Sequence, residues 1–209
     1  MTSSRARTLR VATSVRLGAF SLIELLIALA IIIILFTMMY GFGSKKHQLT
    51  QKQKCLANLQ KIFIGLQIYA TEHGERFPVA SNAQTSEDVL NLLVPQYTAD
   101  NSIFICPGSK DRALPPGESL RRGRISYAYY MGRRATETQA VLLSDRQLNQ
   151  WAKTIGSPVF SADGKKPANN HHKFGGNFLL GDGSGQSTPA LTAIALPLAT
   201  NIVLLNPKP

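Results

Sequence analysis

The stretch that most constrains this chain is residues 20–40, FSLIELLIALAIIIILFTMMY, which contains one charge, Glu24. As a helix its 21 residues measure about 31 Å at 1.5 Å per residue. That matches the roughly 30 Å hydrocarbon core of a bilayer, so the run predicts a transmembrane helix. A secretory signal would have a shorter apolar region followed by a small-x-small cleavage site. Here the distinctive residues stand in front: a leader, 1–19, with Arg5, Arg7, Arg10 and Arg16 and no acid, ending in Gly18-Ala19. A lone carboxylate inside an apolar run costs about 2.5–3.5 kcal/mol at the bilayer centre, and such residues are usually kept for a purpose. A plain signal anchor, with Glu24 snorkelling to the interface, is the simpler reading.

Beyond residue 43, 166 residues remain, enough for one domain with its own core. Gly41 and Gly43 mark the junction, so the expected division is 1–19, 20–43 and 44–209. Leu49, Leu56, Leu59, Ile62, Phe63 and Leu66 recur at helical steps, with Lys, Gln and Asn expected on the opposite face. His73-Gly74 and Pro78 signal the helix stop. Thr85-Ser86-Glu87-Asp88 reads as a short helix start, and strands are expected at 102–107, 125–132, 139–145 and 177–183, the last ending in an Asp182-Gly183 turn. In the strand at 125–132, Tyr127 and Tyr129 should share one face, leaving Tyr130 on the other as an exposed ring. The tail, 188–206, is apolar but broken by Pro189 and Pro197, and is expected to complete the sheet. The fold class that follows is α+β: a long N-terminal helix, transmembrane then amphipathic, packed against a small antiparallel β-sheet.

The residues Gly18-Ala19-Phe20-Ser21-Leu22-Ile23-Glu24-Leu25-Leu26 closely resemble the cleavage and methylation motif of type IV pilins and type II secretion pseudopilins. That resemblance implies a pilin-like fold, cutting by prepilin peptidase between Ala19 and Phe20, and N-methylation of Phe20. Ala19 stands where the family has Gly, and a cut after Gly18 would move Glu24 from fifth to sixth place in the mature chain. In a filament, the amino terminus of a neighbouring subunit would pair with Glu24 and select the axial stagger, offsetting the carboxylate's desolvation. Charge alone leaves orientation undecided, since four arginines precede the run and Lys45, Lys46, Lys52 and Lys54 follow it. The motif places the leader in the cytoplasm, the span in the inner membrane as a single pass, and residues 44–209 in the periplasm or outside the cell. The implied partners are prepilin peptidase, other pilin-like subunits and a secretion or pilus assembly platform.

The outer region carries a second resemblance. FICPGS, SYAYYMG, LLSD and His172, then nine residues and Asp182-Gly183, follow in the order seen in prepilin-processing-associated proteins of the His-x9-Asp-Gly group. That group continues with a further His where Ser184 stands here. His172, Asp182 and Asp145 are the candidate metal ligands, and calcium is the ion suggested by the major secretion pseudopilins; a hairpin turn at Asp182 with His172 as a loop anchor is the structural alternative. Cys55 and Cys106 have no metal-ligand spacing and read either as a disulfide or as two buried thiols.

No nucleophile elbow, phosphate-binding glycine loop or Cys-His arrangement is evident, so no enzyme activity is expected. The net charge of +11 falls to +7 without the leader and is spread along the chain; nucleic acid is therefore not an expected partner. The reading is a pseudopilin-like structural subunit. Its alternatives are a DNA-uptake or adhesion pilin with a binding outer domain and a membrane-tethered metal-binding protein.

Overall fold

The computed structural model describes residues 21–209, with side chains described outside 39–44. The leader and the expected processing residues Gly18, Ala19 and Phe20 lie outside the described residues. The chain divides into two units, Met1–Gly43 and Ser44–Pro209. Helical backbone is assigned over Leu22–Glu72 (α1).

In the first unit, Ser21 stands just before the helix, and its carbonyl accepts from the Glu24 and Leu25 N–H groups at 3.0 and 3.1 Å. Ser21-x-x-Glu24 is the residue pattern of a capping box. Glu24 sits in the first turn, where the helix dipole favours an acid. The side chains from Leu22 to Met38 are exposed all round, Leu22 at 80% and Leu29 at 57%. The expected transmembrane helix is corrected here: among the described residues, no helix is long and apolar enough to cross a membrane. The pilin-like architecture built on that span falls with it.

The second unit is α+β. Cys55, Leu59, Ile62, Leu66 and Ala70 form a fully buried stripe along α1, with Leu56, Phe63 and Tyr69 flanking it. The helix stops where Gly74 (φ 61°) and Glu75 (φ 64°) turn left-handed; His73 stacks on Tyr69 with ring centroids 3.8 Å apart. A short helix, α2 (Ser86–Leu90), follows, with Asp88 Oδ2 accepting the Thr85 N–H at 3.0 Å across its N-terminus.

Five strands form one antiparallel sheet: β1 (Tyr127–Met131), β2 (Val141–Asp145), β3 (Gly176–Leu180), β4 (Gly185–Thr188) and β5 (Val203–Leu205). Their spatial order is β4-β3-β2-β1-β5. Tyr129 pairs with Leu143, Tyr130 with Leu204 and Leu143 with Leu179. A register shift between Val141 and Leu143 interrupts the alternation of β2. Leu142 and Leu143 consequently both join the core under the helix, as a bulge allows.

The sheet is covered on both faces. Tyr127, Tyr129, Leu179 and Leu205 meet the α1 stripe in one core. Ala128, Tyr130, Phe178, Leu180 and Leu204 meet Val159, Phe160, Leu196 and Ile202 in another. Tyr130, expected as an exposed ring, is therefore buried, and its hydroxyl accepts from Gln147 Nε2 at 2.8 Å.

The segment expected as a strand at 102–107 instead begins with a 3-10 turn, Asn101–Phe104. Asp100 Oδ1 takes the Ser102 N–H at 2.9 Å, and Asn101 Nδ2 donates to the carbonyls of Pro115 and Glu118. These side-chain bonds bend the backbone that apolar Ile103, Phe104 and Ile105 would otherwise extend. β4, with sequence GQST, has no apolar alternation; it forms because Asp182-Gly183 turns the chain back, with Gly183 at φ 82°.

Candidate functional site

Where α1 crosses the sheet, a buried polar cluster interrupts the apolar core. Asp145, the last residue of β2, is fully buried. A buried carboxylate is stable only when its oxygens are saturated with donors. Its Oδ2 accepts the Asn177 N–H at 2.8 Å, Asn177 Nδ2 at 3.0 Å and His171 Nε2 at 3.1 Å. Oδ1 accepts Asn170 Nδ2 at 3.1 Å. The acid is an acceptor only, so His171 carries its hydrogen on Nε2.

The same ring also meets sulfur. Cys106 Sγ lies 3.6 Å from Nε2 and 4.0 Å from Nδ1, and the Gly108 N–H points at the same sulfur from 3.4 Å. Cys106 is disulfide-bonded to Cys55 on the helix stripe, across 51 residues of sequence. One donor atom from each of Cys55, Cys106, Asp145 and His171 lies within 4.8 Å of every other, and all four residues are buried. Gly108 must be glycine, because a Cβ there would stand 2.2 Å from the Asn170 carbonyl oxygen and 2.9 Å from His171 Nδ1.

Lys52 extends the cluster along the helix. It is 7% exposed, and its Nζ donates to the Phe174 carbonyl at 2.9 Å and the Thr188 carbonyl at 2.6 Å. Burial lowers its pKa, and the nearby Asp145 charge works against that shift. Asn177 Nδ2 donates to the Lys52 carbonyl at 2.9 Å. Lys52 was expected on the polar face of the helix; it sits three residues before Cys55 and four before Leu56, in line with the stripe. A lysine in phase with the apolar positions was the signal for its burial.

The three expected metal ligands occupy different surroundings. Asp145 joins His171, while neither His172 nor Asp182 belongs to the cluster around it. His172 adopts φ 55° and packs its ring against Gly164, where a Cβ would stand 2.4 Å from Nε2. Asp182 is exposed at the β3–β4 turn; its Oδ1 accepts the Ser184 N–H at 2.8 Å. Among the described residues, no group of three or more His, Cys, Asp or Glu ligands includes Asp182. The two histidines differ by one position in a loop without regular period, and nothing in the sequence distinguishes the inward from the outward one.

His172 instead lines an open cavity of about 590 Å³ with Lys110, Arg124, Arg146 and Lys166. Asp111 is the one acid among its lining residues, and it lies 3.6 Å from Arg146. The buried Cys-His-Asp cluster joins helix, sheet and loops. No family model, curated protein or solved structure matches the chain.

Proposed function

We propose that this chain is a structural subunit of a filament of the type II secretion or type IV pilus kind, matured by prepilin peptidase before Phe20. The observation that carries the reading is the motif at 18–26, directly followed by a helical segment whose large apolar side chains are exposed from Leu22 to Met38. An isolated chain cannot leave so large an apolar surface in water. Like segments from neighbouring copies cover it in the filament. Glu24, one turn into the helix, receives the new amino terminus of a neighbour and sets the stagger. The disulfide-closed domain from Ser44 onward decorates the outside, in the oxidising compartment where such bonds persist.

Two measurements test this. Mass spectrometry of the protein isolated from cells should give a chain starting at N-methylated phenylalanine; one that still begins at Met1 refutes the processing step. Glu24→Gln keeps a side chain suited to a capping box while removing the charge. It is expected to leave the folded domain unchanged and to abolish incorporation into filaments. Assembly of Glu24→Gln at the normal level would leave Glu24 with helix capping alone.

A further inference from the structure

The open cavity of about 590 Å³ that shares Asn170 with the buried cluster collects charge of one sign. Lys110, Arg124, Arg146 and Lys166 are four cations set against one acid, Asp111, which leaves three net positive charges without counting His172. Asp111 is already engaged: its Oδ2 accepts the Ser126 hydroxyl at 2.9 Å and lies 3.6 Å from Arg146 Nη2. Among the described residues, Lys110, Arg124 and Lys166 form no ion pair. A concave site lined by one sign of charge focuses its field on a ligand of the opposite sign.

Two of the lining side chains carry buried polar atoms with no partner among the described residues. The first is Arg146, whose side chain is 11% exposed. Its Nη2 donates to the Ile125 carbonyl at 3.0 Å, while its Nε has no partner. A guanidinium presents its N–H donors as a fork that fits phosphate oxygens two at a time. The second is Gln48, whose buried Oε1 accepts nothing. A carbonyl oxygen does not hold an anion, but it accepts a hydroxyl hydrogen. The cavity is also larger than a bare oxyanion needs, falling within the roughly 300–1,000 Å³ of small-molecule sites. Its walls are tied down in advance, which lowers the ordering cost of binding. Cys106 anchors the loop that follows it through its bond to Cys55, and Asn170 Nδ2 donates to Asp145 Oδ1 at 3.1 Å and to the Ser126 carbonyl at 2.8 Å.

We propose that this cavity binds a sugar phosphate, a phosphate monoester on a small carrier rich in hydroxyl groups. A phosphomonoester carries about −1.5 to −2 charges at pH 7, so it answers the positive lining better than a singly charged carboxylate or sulfate ester. Arg146 and Arg124 take the phosphate oxygens, Lys110 and Lys166 add charge, and Gln48 accepts a hydroxyl of the carrier. The cavity lies within Ser44–Pro209, so its ligand binds whether or not the chain assembles into a filament.

The test is calorimetric titration of the full chain, in mild detergent and with its disulfide intact. The probes are glucose 6-phosphate, ribose 5-phosphate, glucose 6-sulfate, inorganic phosphate and glucose. A sugar phosphate should bind one per chain, at least about tenfold more tightly than the sulfate ester or inorganic phosphate, and glucose should give no signal. Lys110→Gln/Arg124→Gln/Lys166→Gln removes three exposed cations and should weaken that binding by at least about tenfold. Lys54→Gln/Lys61→Gln/Arg134→Gln makes the same charge change outside the cavity lining and should leave it unchanged. Gln48→Leu should weaken the sugar phosphate and leave inorganic phosphate as it was. Thermal unfolding of each variant separates lost binding from lost folding. Failure of both sugar phosphates to bind, or binding no tighter than inorganic phosphate, overturns the proposal. So does an equal loss in the two triple variants, which assigns the effect to overall charge. Displacement of the sugar phosphate by a short DNA duplex also overturns it, and assigns the cavity to nucleic acid.

Discussion

Asn177 on β3 joins Lys52 on α1 to Asp145 on β2: its side-chain amide donates to the Lys52 carbonyl at 2.9 Å and to Asp145 Oδ2 at 3.0 Å. One residue thus ties the long helix to two neighbouring strands through polar atoms that never reach water. The arrangement makes Asp145 the acceptor on which the buried donors depend.

Asp145→Ala should therefore be among the most damaging single substitutions in the domain. It strands the Asn177 N–H and the His171 and Asn170 donors inside the core. Removing one member of a buried charged network costs about 3–5 kcal/mol, and guanidinium unfolding of the variant should show a loss of that size.

Breaking the Cys55–Cys106 bond acts on the unfolded chain. Closing a loop with a sequence separation of 51 residues contributes about 4 kcal/mol in the chain-entropy model. The double variant Cys55→Ala/Cys106→Ala should lower the denaturation midpoint accordingly while leaving the far-ultraviolet circular dichroism of the folded state unchanged.

Stability should pass through a maximum at alkaline pH. Burial lowers the Lys153 pKa to about 8 and lowers that of Lys52. Between the folded and unfolded values the unfolded state binds more protons, so Lys153 makes stability rise from about pH 8 to about pH 10, and Lys52 acts in the same direction. Burial raises Tyr130 to about 12, and Tyr127 and Tyr129 are also pushed well above 10. Above about pH 10 the unfolded tyrosines ionise first, and stability falls. Denaturant midpoints measured against pH should rise and then fall, and Lys153→Met should flatten the rising limb.

Two glycine substitutions separate backbone strain from crowding. Gly74 (φ 61°) has open space around a would-be Cβ, whereas at Gly183 (φ 82°) that atom would stand 2.6 Å from Phe63 Cε1. Gly74→Ala should cost about 1 kcal/mol. Gly183→Ala should cost more, by about 1–3 kcal/mol of overpacking, as read from thermal unfolding of the two variants side by side.

The helical stripe was legible because Leu59, Ile62 and Leu66 repeat at its period, and the central strands because YAYYM and VLLSD are dense in aromatic and branched residues. Legibility ended where side chains bend the backbone, as at Asp100 and Asn101, and where a strand such as β4 exists only because its neighbour offers an edge. Tyr130 was misjudged because alternation identifies a second face without telling whether loops from 159–160 and 194–202 will cover it. The candidate site was half visible: Asp145 stood out at the end of a strand, while His171 had no periodicity to separate it from His172. The pairing of Cys55 with Cys106 could not be read from spacing, since it depends on how a 3-10 turn brings the loop under the helix.

The Cys55–Cys106 bond also has a mechanical consequence. Tension pulling on α1 from its front end reaches a covalent rivet at Cys55 before it can strip the stripe from the sheet residue by residue. The load passes into the loop around Cys106, and the helix and sheet must shear as a block instead of unzipping. A domain built this way can be dragged by its helix without being turned inside out.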